Sequence, residues 1–250
     1  MSIWGKIIGG AAGLIIGGPL GALIGLTAGH AVDSVRSRPK HQGDGDPAIS
    51  DDATRSIAFT IGVIVLGAKM AKADGTVTRD EVSAFKEVFK IPPEEMKNVA
   101  RVFNAARLDA EGFEPYAKQL ANLFKDRRVV LEDLLSCLFH IARADGHVHD
   151  AELAFVTKVA TIFGFSQAEF SRIKEAELGP DKGDPYHILG VQRDDDEPTV
   201  KSAYRALIRE HHPDRAVAAG LPAEMVEIAT QRMATINAAY DKICTQRGWS

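Results

Sequence analysis

Several things are scarce in this chain of 250 residues, and each shortage removes a class of function. There are two cysteines, Cys137 and Cys244, and no CxxC pair, which excludes a structural zinc site of the usual kind. Thiols so far apart form no local motif; the expectation is two buried, reduced side chains, with a disulfide between them left open. Aromatic residues make up 7%, and no stretch alternates apolar and polar with period two, so strands are not expected. The net charge of −4 gives the whole chain no attraction for nucleic acid or anionic lipid. Any electrostatic partner must be met by a local patch. There is no HExxH, no phosphate-binding glycine loop after a strand, and no nucleophile beside a base motif. Neither an enzyme nor a cofactor is expected. What is present is a hydrophobic set of 45%, rich in Ala, Leu, Ile and Val at helical spacing, so the expected fold class is all-α.

Charge is missing altogether from one segment. Between Ile7 and Ala31 there is no Asp, Glu, Lys or Arg. As a helix this run would span about 37 Å, enough for a hydrocarbon core of about 30 Å. Trp4 and Lys6 suit the near interface, and Arg36, Arg38 and Lys40 outweigh Lys6 on the far side. That bias puts everything after the segment in the cytoplasm. Gly9, Gly13, Gly17, Gly21, Gly25 and Gly29 recur at every fourth position, the small-residue stripe by which membrane helices pack closely, so a dimerising, single-pass anchor over residues 1–33 is expected. A cleaved signal peptide, a glycine-rich tail and a surface-lying helix are the competing readings. Pro19 is positioned to kink the helix.

A linker over 34–51, rich in Gly, Pro and charge, leads to a helical domain over 52–178. An internal repeat marks that domain: Ala73-Asp74-Gly75-Thr76-Val77 with Glu81 beyond returns as Ala144-Asp145-Gly146-His147-Val148 with Glu152 beyond. Apolar helices precede each copy (Ile57 to Met70, Leu131 to Ala142) and amphipathic ones follow (Val82 to Phe89, Leu153 to Phe163). Further helices are expected near Pro93–Leu108 and Pro115–Phe124. The repeated carboxylates are candidate ligands for a hard cation. Turn and cap chemistry explains them better, since Gly75 and Gly146 suit a left-handed helix terminus and Thr78 to Glu81 forms a capping box. No metal site is therefore assigned.

The last segment, 183–250, carries the functional signal. Asp184-Pro185-Tyr186-His187-Ile188-Leu189-Gly190 opens it, and Asp196 is placed to cap a helix starting near Glu197. Val200, Ala203, Tyr204, Leu207 and Ile208 form one face of that helix, while Lys201, Arg205 and Arg209 form another. It ends at His211-His212-Pro213-Asp214-Arg215, because proline disfavours a helical residue before it. After a short loop, Pro222 starts a return helix whose apolar positions are Met225, Ile228, Met233, Ile236, Tyr240 and Ile243. A basic stripe alone is usually just a solvated face, and an isolated HPD tripeptide is weak.

Together with the Tyr186 to Gly190 entry and the Ile236-Asn237-Ala238-Ala239-Tyr240 run, these residues closely resemble the J domain of the DnaJ family over roughly Asp184 to Gly248. The resemblance implies docking on an acidic surface of a DnaK-type chaperone and stimulation of its ATPase. By matching position, His212, Pro213 and Asp214 are the trigger, Lys201, Arg205 and Arg215 the electrostatic contacts, and Tyr204 the edge of the surface. Ala206 and Glu210 stand where many members are basic, so the patch is weaker. There is no glycine/phenylalanine-rich or zinc-binding segment, so generic client delivery is not implied. The duplicated middle resembles the TerB-like domain. The opening Ile3-Trp4-Gly5-Lys6-Ile7-Ile8-Gly9 and the exit Gly29 to Asp33 resemble the DjlA type of membrane J protein. That likeness implies a self-associating, regulatory co-chaperone of the bacterial inner membrane. The rival reading is a TerB-like metal- or stress-sensing membrane scaffold with an accessory J domain.

Overall fold

Helix α2 (Asp51–Ala73) is apolar on every side, and a helix of that kind is stable only when surrounded. The computed structural model describes residues 17–27, 51–73, 96–109, 112–144, 146–178, 183–218 and 223–249, with single positions 83, 91 and 93. Among these residues there are eleven helices and no strand, as the composition implies. Around α2 lie α3 (Met96–Leu108), α4 (Glu114–Leu123), α5 (Arg128–Ala142) and α6 (Asp150–Ile162), with α7 (Gln167–Leu178) packed on α5. Ile57, Phe59, Ile61, Ile64, Leu66 and Met70 of α2 are fully buried. Residues Thr54–Lys72 are long and apolar enough to cross a membrane, yet 89% of that window is buried in protein, so this helix is the axis of the bundle. Its one buried cation, Lys69, is neutralised by Asp109 at 2.9 Å and lies over the Tyr116 ring. Helix α7 falls within the helical domain expected over 52–178 but was not singled out there, although its start carries a legible signal. Ser166 and Glu169 form a capping box, with the Ser166 N–H donating to Glu169 Oε2 at 2.7 Å.

The repeat motif resolves in its second copy. Gly146 has φ +93°, the left-handed conformation expected of it. Glu152 is buried and accepts the His149 N–H at 2.9 Å, closing a capping box at the start of α6. Asp145 and the first copy, residues 74–81, lie outside the described residues. Cys137 is buried and Cys244 only partly so; both are free thiols.

In the N-terminal segment the position at which Pro19 was expected to kink the helix is a helix start. Helix α1 (Gly18–Thr27) starts only at Gly18, and Gly17 and Gly18 both have φ +60°. Pro19 is the cause: it has no N–H to donate and its ring collides with the carbonyl four residues back, so it is tolerated only in a first turn. Leu20 and Leu23 are buried against α3 and α4, and Gln119 of α4 holds the start of α1, donating to the Gly17 carbonyl and accepting the Leu20 N–H, each at 2.9 Å. Of the glycine stripe, Gly21 and Gly25 lie on α1, while Gly9, Gly13 and Gly29 lie outside the described residues.

The C-terminal unit comprises α8 (Pro185–Leu189), α9 (Glu197–Glu210), α10 (Pro213–Ala218) and α11 (Ala223–Arg247). It has its own core of Tyr186, Ile188, Leu189, Val191, Val200, Leu207, Ile236, Ala239 and Ile243. The expected loop after the HPD tripeptide is in part the short helix α10, which begins on Pro213 because a missing N–H costs nothing at a helix start.

Close approach of α2 and α4 depends on Gly62, where a Cβ would meet Leu120 Cδ2 at 2.6 Å. Leu120 is fully buried and has no room to retreat. Gly62→Val should therefore destabilise the bundle by about 1–3 kcal/mol in urea unfolding, the usual cost of overpacking. Unchanged stability would show that the two helices are not packed this closely.

Candidate functional site: an exposed HPD turn over a buried charge cluster

The turn is held in place by local chemistry on both sides. Asp184 caps α8 by accepting the Tyr186 N–H at 3.0 Å, and Gly190 leaves that helix at φ +70°. Asp196 caps α9 by accepting the Thr199 N–H at 3.0 Å, as its position before the apolar run predicts. Val200 and Leu207 of α9 face inward. Tyr204 stacks on Tyr240 with centroids 4.1 Å apart and donates its hydroxyl proton to Asn237 Oδ1 at 3.0 Å. His211, at the end of α9, meets Arg232 further back on α11. Partners rise along α9 as they fall along α11, so the two helices are antiparallel. Tyr204 is thus chiefly a brace between them and only half-exposed.

The residues expected to meet a partner come together on one side. Arg205, Arg209 and Arg215 are exposed, and Lys201 is half-exposed beside them. Lys201, Arg205 and Arg209 line one shallow groove with Tyr204 and Ile208. Around the corner the His212 side chain is 46% exposed and that of Asp214 is 90% exposed. The Asp214 N–H donates to His212 Nδ1 at 3.2 Å, so that nitrogen is the acceptor and the proton of the neutral ring is on Nε2. Arg215 donates to the Arg209 carbonyl at 3.4 Å, tying α10 back to α9. Charge, turn and exposure coincide over residues 201–215.

Directly behind this surface is a cluster that sequence reasoning missed. Arg232 of α11 is 5% exposed and reaches into the bundle. Its Nη1 donates to Asp133 Oδ1 at 2.8 Å and lies 3.6 Å from Glu132 Oε1; its Nη2 lies 3.7 Å from Glu177 Oε1 and donates to the Ser136 hydroxyl. Arg172 of α7 holds the other oxygen of Glu132 at 2.7 Å. His211, one residue before the HPD tripeptide, is buried with them: Nδ1 is 3.3 Å from Arg232 and Nε2 is 3.5 Å from Glu132 Oε1. Arginine only donates, so Nδ1 accepts and the proton of the neutral ring is on Nε2, which is buried 3.5 Å from Glu132 without a hydrogen-bond partner among the described residues. Burial raises Glu132, but Arg172, then Arg232 and His211, outweigh it and bring the carboxyl down to about 2. Burial lifts Asp133 to about 7, opposed by Arg232 and assisted by Glu132 and Glu177. Burial pushes His211 down to about 3 against the pull of Glu132. Ile228 also departs from expectation, packing against the core of the bundle and not within its own unit. The only sequence signal was a set of charges at otherwise inward positions, such as Glu132-Asp133 inside an apolar run.

Comparison with known proteins completes the picture. Residues 184–247 match the model of the DnaJ domain, residues 60–175 that of the tellurite resistance protein TerB, and residues 1–39 that of the co-chaperone DjlA transmembrane domain. The co-chaperone protein DjlA of Photobacterium profundum is 30% identical, with 99% of this chain and 100% of that relative aligned. The chain belongs to the DjlA co-chaperone family. Its DjlA relatives in Escherichia coli K12 and Salmonella typhimurium are 29% and 28% identical, each aligned over 100% of both chains. No solved structure matches. In DjlA terms, the exposed patch lies wholly within the J-domain match, while the buried cluster joins the J domain (Arg232, His211) to the TerB match (Glu132, Asp133, Arg172).

The cluster should leave a mark on stability against pH. Unfolded, His211 takes up a proton near 6.5; folded, only near 3. Between those values the unfolded chain binds the extra proton, so His211 costs stability as pH falls, by at most about 1.4 kcal/mol per unit. Glu132 acts in the same direction below 4.5, and Asp133 in the opposite direction between 3.8 and 7. Between pH 6.5 and 4 the His211 and Asp133 contributions offset each other, so His211→Gln should make stability rise relative to the parent as pH falls through that range, measured by urea unfolding at several pH values. An unchanged slope would mean that the ring is not buried neutral.

Proposed function

We propose that this chain is a membrane-tethered regulatory co-chaperone whose J domain stimulates the ATPase of a DnaK-type chaperone. The observation that carries the reading is the coincidence, over residues 201–215, of an exposed HPD turn with the exposed cations Arg205, Arg209 and Arg215. A patch of one sign beside a rigid turn steers an acidic partner and fixes its register, which is how complementary fields contribute to a weak, fast encounter. His212 offers a directional donor, Pro213 rigidifies the corner, and Asp214 stabilises the turn through its own N–H. Rate enhancement resides in the partner; this chain supplies orientation and makes or breaks no bond. The scaffold reading has less support, because Glu152 is occupied by its capping bond.

The same proposal includes an inner-membrane anchor with both folded domains on the cytoplasmic side, where a DnaK-type chaperone and ATP are found; insertion requires Leu20 and Leu23 of α1 to exchange their contacts with α3 and α4 for lipid. Its support is the excess of Arg36, Arg38 and Lys40 over Lys6 around the uncharged run. Self-association through the glycine stripe belongs to it as well.

His212→Gln should leave helix content and melting essentially unchanged, since the side chain is half-exposed, yet abolish stimulation in single-turnover ATP hydrolysis by the chaperone. Parental stimulation by the variant would refute the co-chaperone reading. For the anchor, replacing Gly13 and Gly25 with Leu should keep the chain in the membrane fraction but remove the signal of an in-membrane dimer reporter. A surviving dimer signal would show that the stripe is not the interface.

A further inference from the structure

The J domain does not hang freely from the bundle. Arg232 crosses from one to the other and is enclosed by groups of α5 and α7: the carboxylates of Glu132, Asp133 and Glu177, the Ser136 hydroxyl and the Glu132 carbonyl. Apolar contact accompanies the charge, with Ile228 of α11 packed on the bundle core and Ala176 of α7 on the J-domain core. A third tie is the Asp184 N–H donating to Glu175 Oε2 at 3.2 Å. What makes this contact functional is its place. His211 is wedged between Arg232 and Glu132, and the next residue in the chain is the exposed His212. One face of the turn is anchored in the bundle while the other is presented to solvent.

We infer that Arg232 and His211 are positioning residues, which clamp the J domain to the TerB-like bundle and thereby fix the direction in which the HPD turn is presented. This rests on the co-chaperone reading and adds to it a means by which the TerB-like domain acts on the same site. The physical benefit is preorganisation. A turn whose orientation is already fixed loses less freedom when a partner docks, so binding is tighter without any new contact. Arg215, beside the turn, lines a cleft of about 680 Å³ whose far wall is α5, so a partner that covers Arg215 meets both domains in their clamped arrangement. The groups facing the cluster from every packed element are Glu132 and Asp133 of α5, Arg172 and Glu177 of α7, and Arg232 of α11. Burial keeps His211 neutral among them, so it adds no charge to the clamp. Coupling of this kind is reciprocal: whatever alters α5 or α7 alters the turn, and a partner on the turn alters the bundle.

The test uses the full-length chain in detergent or nanodiscs, with Cys244→Ser and spin labels at the exposed positions Lys158 and Thr245. The parent should give one narrow distance distribution. Arg232→Met should broaden it and should raise the concentration giving half-maximal stimulation of the chaperone several-fold, with the plateau rate unchanged. Arg232→Lys, which keeps the charge but not the fork, should recover part of both. His211→Ala removes a neutral ring and leaves the net charge of the cluster unaltered, serves as the second variant if Arg232→Met folds poorly, and should act in the same direction. A distribution that stays narrow in both variants overturns the clamp. A broadened distribution with an unchanged half-maximal concentration overturns the positioning role, and a lowered one shows that the contact restrains the turn and does not present it. If the parent itself fails to stimulate, the co-chaperone reading falls, while the distance measurement still decides whether the clamp exists.

Discussion

One guanidinium determines how the two halves of this protein meet. Arg232 is nearly inaccessible, so its charge must be compensated inside the protein, and among the described residues α5 and α7 supply the carboxylates that do so. Burying such a group is favourable only with close partners and satisfied donors, and leaving either side unpaired is costly. The arrangement therefore has a narrow geometric tolerance. A buried ion cluster contributes little net stability compared with a hydrophobic contact, but it specifies orientation. Here the orientation concerns a turn whose neighbouring residues, His211 and His212, face in opposite directions.

The cluster depends in turn on the bundle behind it. Glu132 and Asp133 sit in the first turns of α5, whose remaining residues are almost all buried, so their positions are set by apolar packing around α2. A helix as apolar as α2 would be a membrane candidate by composition. Its neighbours α3, α4, α5 and α6 enclose it and make it an internal axis. The rigidity of that axis is what allows carboxylates on α5 to hold a cation from another domain at hydrogen-bonding distance.

Membership of the DjlA family orders these parts along the chain: a matched transmembrane segment, a matched TerB segment, then a matched J domain. In the structure the order is not one of independent beads. The J domain shares a buried interface with the TerB-like bundle, and the start of α1 is bound by Gln119 of that same bundle. Both flanking segments thus contact the bundle between them.

Much of this was determined by local sequence alone. Helical periodicity, the caps at Asp196 and Asp184, the left-handed Gly146, and the joint placement of the HPD turn with its basic stripe all follow from interactions within a few residues. Such interactions survive being read in one dimension. Other features needed the tertiary structure. Gln119 of α4, about 100 residues on, holds the backbone at Gly17 and Leu20, where Pro19 stands in the first turn of α1. Tyr204 became a brace because Asn237 and Tyr240 lie opposite it on a helix more than thirty residues away. The roles of Arg232, His211, Glu132 and Asp133 could not be read from the chain, since an arginine on a helix is ordinarily solvated and a carboxylate pair ordinarily exposed. Only the folding of segments about 100 residues apart onto one another removes the water, and with the water gone those charges have no stable partners except each other.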